Sequence, residues 1–377
     1  MRILITGGGT GGHVYPGLAV AEALMTLDPA SEVLFVGTSR GLESTLVPKA
    51  GWPFVTVPAS GMRGLGWGAR GLFMLNLVFG VLKSLVILLK FRPAVVMGTG
   101  GYVSVPVMVA SRLLGKCIVL QEQNSVPGST NKRAARWARR IYLGFAEAAP
   151  CFSGRPTVVT GNPVRRDVSE ALSRDDHDHW DGRRPLRLLA FGGSRGARSL
   201  NEALIAAAAP LIGRHDLELW FQTGPTDYNR VSLAYAEGYD AWRGSERLLR
   251  VEPYIDDMAA ALRWADLVIS RAGAMTLAEL AASGRPAVLV PFPHATDDHQ
   301  ARNARGVAEA GAAEVLPDDM CTGEALIALV DHLCTEPSRL AEMALASRRR
   351  ARPDAAAEIA VDILRLGGAL PADENRS

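Results

Sequence analysis

The sequence predicts an α/β protein of two doubly wound, parallel-sheet domains. Three observations carry this. Short apolar runs alternate with helical stretches through the first half, the pattern of a parallel sheet covered on both faces. A glycine-rich loop follows the first apolar run, and a second loop of the same build follows another run near mid-chain. At 377 residues, 48% hydrophobic and 21% charged, the chain has length and apolar material for two cores.

Residues 3–5, Ile-Leu-Ile, open the chain as a buried strand. Gly7, Gly8, Gly9, Thr10, Gly11 and Gly12 follow, and a helical run is evident from Leu18. Strand, glycine loop, helix is an anion-binding layout. Bare backbone approaches the ligand closely, and the helix start offers N–H groups with partial positive charge. His13 ends the loop with a side chain suited to moving protons near neutral pH. Gly7, Gly9 and Gly12 also satisfy the dinucleotide pattern G-x-G-x-x-G. The strand at 33–36, however, is followed by Gly37, Thr38, Ser39 and Arg40, not by the acid that holds a ribose, which disfavours NAD.

Further strands are expected at 54–57, 94–97, 117–120, 140–143 and 157–160. In such sheets ligands sit beyond the C-terminal strand ends. The loops at 98–102, Gly-Thr-Gly-Gly-Tyr, and 121–128, Gln-Glu-Gln-Asn-Ser-Val-Pro-Gly, are therefore expected to face the same mouth as His13. Residues 72–89 are apolar for long enough to span a bilayer. Asn76, Gly80, Lys83 and Ser84 give that segment one less apolar stripe, so a mostly buried helix is expected instead. Lys132, Arg133, Arg136, Arg139 and Arg140 recur at helical spacing. They form either a solvated face or, with 72–89, a contact for an anionic membrane surface.

Residues 169–185 are polar and include Asp175, Asp176, His177, Asp178 and His179. Without a fixed framework on either side, these read as a solvated connector and not as a metal cluster. The strand at 186–191 runs into Gly192, Gly193, Ser194, Arg195, Gly196 and Ala197, a second glycine loop at the same relative place as 7–12. Residues 268–274 likewise parallel 95–101, so the chain reads as two similar halves. The strand at 267–269 leads through Ser270, Arg271, Ala272 and Gly273 to a helix placed at 277–282, whose start would present amides to a diphosphate. Glu279, placed near the end of the first turn, suits ribose hydroxyls; the alternative is a plain helix cap. Gln300 either bonds sugar hydroxyls or only orders its loop. A last helix at 355–366 puts Ile359, Ile363 and Leu366 on one face.

Charge is nearly balanced, 41 basic against 39 acidic residues, which argues against a nucleic-acid partner. Four cysteines without a C-x-x-C pair read as free thiols. The first strand begins at once, so no signal peptide is expected.

Residues 7–13, 98–102, 121–128, 161–165, 192–197, 254–258, 271–279 and 291–304, in order and over nearly the whole chain, resemble the MurG family of bacterial peptidoglycan glycosyltransferases. The resemblance implies a GT-B architecture, two Rossmann-like domains with a cleft between. Residues 1–165 would form the acceptor and membrane side, 166–350 the UDP-sugar donor domain, and 351–377 a helix crossing back plus a frayed tail. It implies inverting transfer of N-acetylglucosamine from UDP-N-acetylglucosamine to the 4-hydroxyl of the N-acetylmuramyl unit of lipid I, giving lipid II. By motif, donor contacts would come from Thr10, Gly11, Gly12, Asn124, Arg165, Ser194, Ile255, Ala274, Met275, Thr276, Leu277, Ala278, Glu279 and Gln300. His13 would be the base, with a purely positioning role as the alternative. No metal or other cofactor is expected, since backbone amides at Ser194 and Ala274 would meet the leaving-group charge. The resemblance also implies a peripheral place on the cytoplasmic face of the inner membrane, among other cell-wall synthesis proteins. The rival readings are another GT-B enzyme of UDP-sugars, such as a UDP-N-acetylglucosamine 2-epimerase or a diacylglycerol glycosyltransferase, and a non-catalytic nucleotide-binding scaffold.

Overall fold

The computed structural model describes all residues except 62–66, 167, 170–179, 194–195, 237, 239–247, 296–297 and 372–377, and for 67–73 it describes the backbone only. The acidic and histidine stretch at 175–179 and the expected donor residue Ser194 therefore lie outside the described residues. The chain divides into two compact units, Met1–Arg166 with Arg352–Ser377, and Asp167–Ala351.

The first unit runs β1 (Arg2–Gly7), α1 (Gly11–Leu27), β2 (Glu32–Gly37), α2 (Glu43–Lys49), β3 (Phe54–Thr56), α3 (Trp67–Phe91), β4 (Val95–Gly100), α4 (Val105–Leu113), β5 (Cys117–Glu122), α5 (Ser129–Ala134), β6 (Arg140–Leu143) and β7 (Thr157–Val159). Its seven strands are all parallel, in the order β3-β2-β1-β4-β5-β6-β7. Alternate residues of each strand enter opposite cores, as the two-residue period of a strand requires. Ile3, Ile5, Val95 and Met97 pack with Val14, Leu18 and Leu24 of α1. Leu4, Val96, Ile118 and Leu120 pack on the other face with Leu88 of α3, Val107 and Met108 of α4 and Ala134 of α5.

The second unit repeats this plan. Its elements are β8 (Leu186–Phe191), α6 (Arg198–Ala206), α7 (Ala208–Ile212), β9 (Leu217–Gln222), α8 (Tyr228–Ala234), β10 (Leu249–Glu252), α9 (Met258–Trp264), β11 (Leu267–Ser270), α10 (Ala274–Ser283), β12 (Ala287–Leu289), α11 (His299–Glu309), β13 (Ala313–Val315), α12 (Gly323–Thr335) and α13 (Pro337–Arg349). The strand order β10-β9-β8-β11-β12-β13 is that of the first six strands of unit one, so the paired glycine loops occupy equivalent places after β1 and β8. α14 (Ala355–Leu366) belongs to the first unit. Ile359, Ala360, Ile363 and Leu364 enter the α1 core, with Leu366 packed at its margin. Asp362 accepts from Tyr142 Oη at 2.9 Å and Arg140 Nε at 3.0 Å. All four cysteines are free, and burial pushes the Cys321 thiol up to about 11.

Three expectations are corrected. β4 runs on through Gly98, Thr99 and Gly100, and β5 through Gln121 and Glu122, so both motifs begin inside the sheet. α1 and α10 start at Gly11 and Ala274, several residues earlier than expected: the glycines that open α1 carry no apolar periodicity to read, and α10 begins directly after the Gly273 turn. The third concerns α3, which is not mostly buried. Met74, Leu75, Val78, Phe79, Leu82, Val86 and Leu89 are each half-exposed or more. The face turned inward carries Gly80, Ser84 and Leu88. A Cβ at Gly80 would lie 2.3 Å from Pro58 O and 3.0 Å from the Pro106 ring, so glycine is what lets α3 approach that closely. Ser84 Oγ donates to Gly80 O at 2.7 Å and needs no water. Gly80 and Ser84 of the less apolar stripe are thus packed, while its Lys83 is exposed beside large apolar side chains, unlike an ordinary surface helix. Arg140, paired with Asp362, also drops out of the basic run, whereas Lys132, Arg133, Arg136 and Arg139 are exposed.

Candidate active site

In the first unit the expected residues converge at the switch point between β1 and β4. Thr10 is the extended N-cap of α1, so Gly11, Gly12 and His13 form its first turn. Thr99 Oγ1 donates to His13 O at 2.6 Å, tying that turn to β4. His13 Nδ1 lies 2.9 Å from Thr99 O and 3.1 Å from Gln123 Oε1. The loop after β4 serves the histidine. A Cβ at Gly100 would lie 3.1 Å from the ring's Cε1 and Nδ1, and one at Gly101 would lie 3.3 Å from Cδ2. Both residues also have positive φ, 102° and 80°, which glycine adopts without strain. The bare backbone expected to face a ligand here instead receives the imidazole.

Glu43 holds the glycine loop from behind. It is buried, and its carboxylate accepts from Gly9 N at 2.9 Å, Thr38 N at 3.0 Å and Thr38 Oγ1 at 2.6 Å. Glu122, equally buried, organises the other loop. It accepts from Asn124 N at 3.1 Å, Gly128 N at 3.1 Å and Asn131 Nδ2 at 2.9 Å. Asn124 is thereby fixed at the end of β5. Arg165 stacks its guanidinium over Tyr15 of α1, 5.3 Å from the ring centroid, one turn beyond Gly11.

In the second unit the loop after β8 rests on Gln222 at the end of β9. Gln222 Nε2 donates to Gly193 O at 3.0 Å, and its Oε1 accepts from Ile255 N at 2.8 Å. Ile255 therefore keeps its carbonyl, not its amide, for a ligand. α10 has Gly273 as its N-cap, which brings no side chain of its own to the helix start. Ala274, Met275, Thr276 and Leu277 form that turn, and Ala278 and Glu279 follow in the second. Glu279 is thus too far along to cap the helix, which removes the plain-cap alternative. Gln300, in the first turn of α11, spends its Oε1 on Phe292 N at 3.0 Å. Its loop-ordering contact is present, and its Nε2 is the end left to offer a sugar. Arg271 points inward and donates to Val290 O at 3.0 Å, Ser199 Oγ at 2.8 Å and the Asp318 carboxylate, locking the strand ends beneath α10.

Sequence reasoning named the stretches that hold Thr99, Gln121, Gln123 and Asn162 but gave those four residues no role of their own, and it missed Glu43 and Gln222. Gln222 ends a strand, the position that could have flagged it. Glu43 had no such signal and looked like an ordinary first-turn acid.

Compared with known proteins, residues 3–143 match the glycosyltransferase family 28 N-terminal domain and residues 187–359 the family 28 C-terminal domain. A UDP-N-acetylglucosamine–N-acetylmuramyl-(pentapeptide) pyrophosphoryl-undecaprenol N-acetylglucosamine transferase of Myxococcus xanthus strain DK1622 is 42% identical over 364 residues, 96% of this chain and 91% of its own. A protein of the same name from Anaeromyxobacter sp. strain Fw109-5 is 42% identical over 100% of this chain and 97% of its own. The crystal structure of Acinetobacter baumannii MurG is 31% identical, with a TM-score of 0.74, covering 97% of this chain and 99% of that one. A putative UDP-N-acetylglucosamine 2-epimerase from Listeria monocytogenes, at 16% identity and a TM-score of 0.68, shares the fold alone. Two Rossmann-like units with these matches define a family 28 glycosyltransferase of the GT-B fold. Within that class the chain belongs to the MurG family.

Proposed function

We propose that the chain transfers N-acetylglucosamine from UDP-N-acetylglucosamine to the 4-hydroxyl of lipid I, forming lipid II in peptidoglycan synthesis. The observation that carries this reading is the match along both units, at 42% identity, to relatives named for that transfer. The reaction is an inverting displacement. The acceptor oxygen forms a bond to the anomeric carbon, the bond to the diphosphate oxygen breaks, and UDP leaves with the electron pair. His13 takes the hydroxyl proton. The first-turn amides of α10 meet the charge growing on the diphosphate, and Glu279 accepts from the ribose hydroxyls. Ile255, Gln300 and the loop after β8 are the remaining donor contacts proposed for the second unit, and Thr10, Gly11, Gly12, Asn124 and Arg165 are those proposed for the first. The α10 amides are proposed to meet the leaving-group charge without a metal, so turnover is expected to survive a chelator.

The protein is proposed to work peripherally at the anionic inner face of the inner membrane. What supports this is the apolar face of α3, with exposed Lys83 and Lys90 beside it, on the sheet face that also carries α5 and its basic neighbours Lys132, Arg133, Arg136 and Arg139.

The test is incubation of the purified protein with radiolabelled UDP-N-acetylglucosamine and a short-chain lipid I analogue. Label in the lipid fraction is expected. Soluble product from donor alone would instead indicate an epimerase, and binding of UDP without turnover a scaffold.

A further inference from the structure

Beneath His13 lies a run of buried amides whose orientation has one solution. Gln121, Gln123 and Asn162 are 0%, 1% and 5% exposed. The run is anchored on a backbone carbonyl, which can only accept. Gln123 O accepts from Asn162 Nδ2 at 2.9 Å. Asn162 Oδ1 accepts in turn from Gln121 Nε2 at 2.9 Å. Gln121 Oε1 accepts from Gln123 Nε2, which also donates to Thr99 O at 2.7 Å. The remaining atom of the run, Gln123 Oε1, faces His13 Nδ1 at 3.1 Å. Flipping any one amide would set donor against donor or acceptor against acceptor in a buried site, at a cost of about 1–3 kcal/mol for each group left unpaired.

His13 Nδ1 therefore faces two acceptors, Gln123 Oε1 and Thr99 O. It must carry the hydrogen, and Nε2 must carry the lone pair. We propose that Asn162, Gln121 and Gln123 form a positioning relay that holds His13 as its Nδ1–H tautomer and presents Nε2 to the acceptor hydroxyl. The relay rests on the reading of His13 as general base and gives that reading its geometry. The hydroxyl proton goes to Nε2, the Nδ1 proton stays where it is, and the imidazolium formed keeps both acceptors. It also gives a role to Asn162, three residues beyond β7 and far in sequence from the histidine it serves.

The experiment is a long-range proton–nitrogen correlation spectrum of protein labelled with 15N at histidine only, at a pH where the ring is neutral. The chain has seven histidines, and the His13 signal is the one lost in His13→Asn. A protonated Nδ1 and a bare Nε2 are expected, the reverse of the tautomer a free side chain favours in water. The wild-type spectrum decides this without any change at the relay. Gln123→Met should move the His13 signal alone towards a mixed tautomer. It should lower kcat about tenfold through lost orientation while KM for UDP-N-acetylglucosamine stays put. An Nε2–H ring in the wild type overturns the proposal, as does a Gln123→Met protein with unchanged His13 signal and kcat. Full turnover by His13→Ala beside a wild-type Nδ1–H tautomer would sink the base reading, and the relay's catalytic meaning with it, while the hydrogen bonds stood.

Discussion

Three side chains divide the labour at the site, and each predicts a different measurement. His13 meets the proton, so His13→Ala should lose about 10²–10⁴-fold in kcat with little change in donor affinity. A mutant of unchanged rate would exclude the base role. Glu279 meets the donor. Its removal should weaken UDP binding by about 1.5–3 kcal/mol, the scale of hydrogen bonds to a charged group. Calorimetry with UDP and with its 2′,3′-dideoxy analogue separates the causes, because only a ribose contact makes the wild type discriminate between them. Glu43 meets neither substrate. It satisfies Gly9 and Thr38, and a Cβ at Gly8 or Gly41 would come within 2.4 Å or 2.1 Å of its carboxylate. Glu43→Ala should cost about 2–4 kcal/mol of stability in chemical denaturation, since buried amides lose a charged acceptor. The sequence pointed to His13 and Glu279 through their place beside glycine turns. It was silent on Glu43, whose partners lie on two separate stretches of chain, and it gave no role to Gln123, whose meaning depends on which way neighbouring amides face.

At the scale of elements, strands were the legible part, because a doubly buried strand is simply an apolar run. Those least visible, β9, β10 and β13, are the edge strand and its neighbour on one side and the edge strand on the other, where apolar runs are shorter or mixed with charge. Helix starts were read late beside glycine turns, within the glycines themselves at α1 and just after Gly273 at α10. α3 was misread for a different reason: Gly80 and Ser84 of the polar stripe face in while Lys83 faces out, and only the packing of Gly80 against Pro58 and Pro106 reveals it. If the outward stripe docks on lipid, Phe79→Glu with Leu82→Glu should abolish co-sedimentation with anionic vesicles yet leave transfer to a water-soluble acceptor intact. Equal loss of both activities would mean that the stripe supports the fold instead.

On the scale of the whole molecule, the two units share one strand order and place their glycine loops alike, as the repeated motif suggested. They differ in what the loop feeds: the first carries His13 into the opening turn of α1, and the second supports the donor side through Gln222. The first unit is also discontinuous in sequence. Ile359, Ala360, Ile363 and Leu364 complete the core beside α1. A chain ending at residue 351 should therefore lose the cooperative melting of the first unit while the second keeps its own transition, as calorimetry would show. Retention of both transitions would mean that α14 is dispensable. Loss of the first unit's transition would also bear on how the protein is made. The second unit is contiguous at Asp167–Ala351 and can close once it has emerged, whereas a first unit that needs residues 355–366 finishes only after the whole chain is made, with its exposed apolar helix uncovered longest.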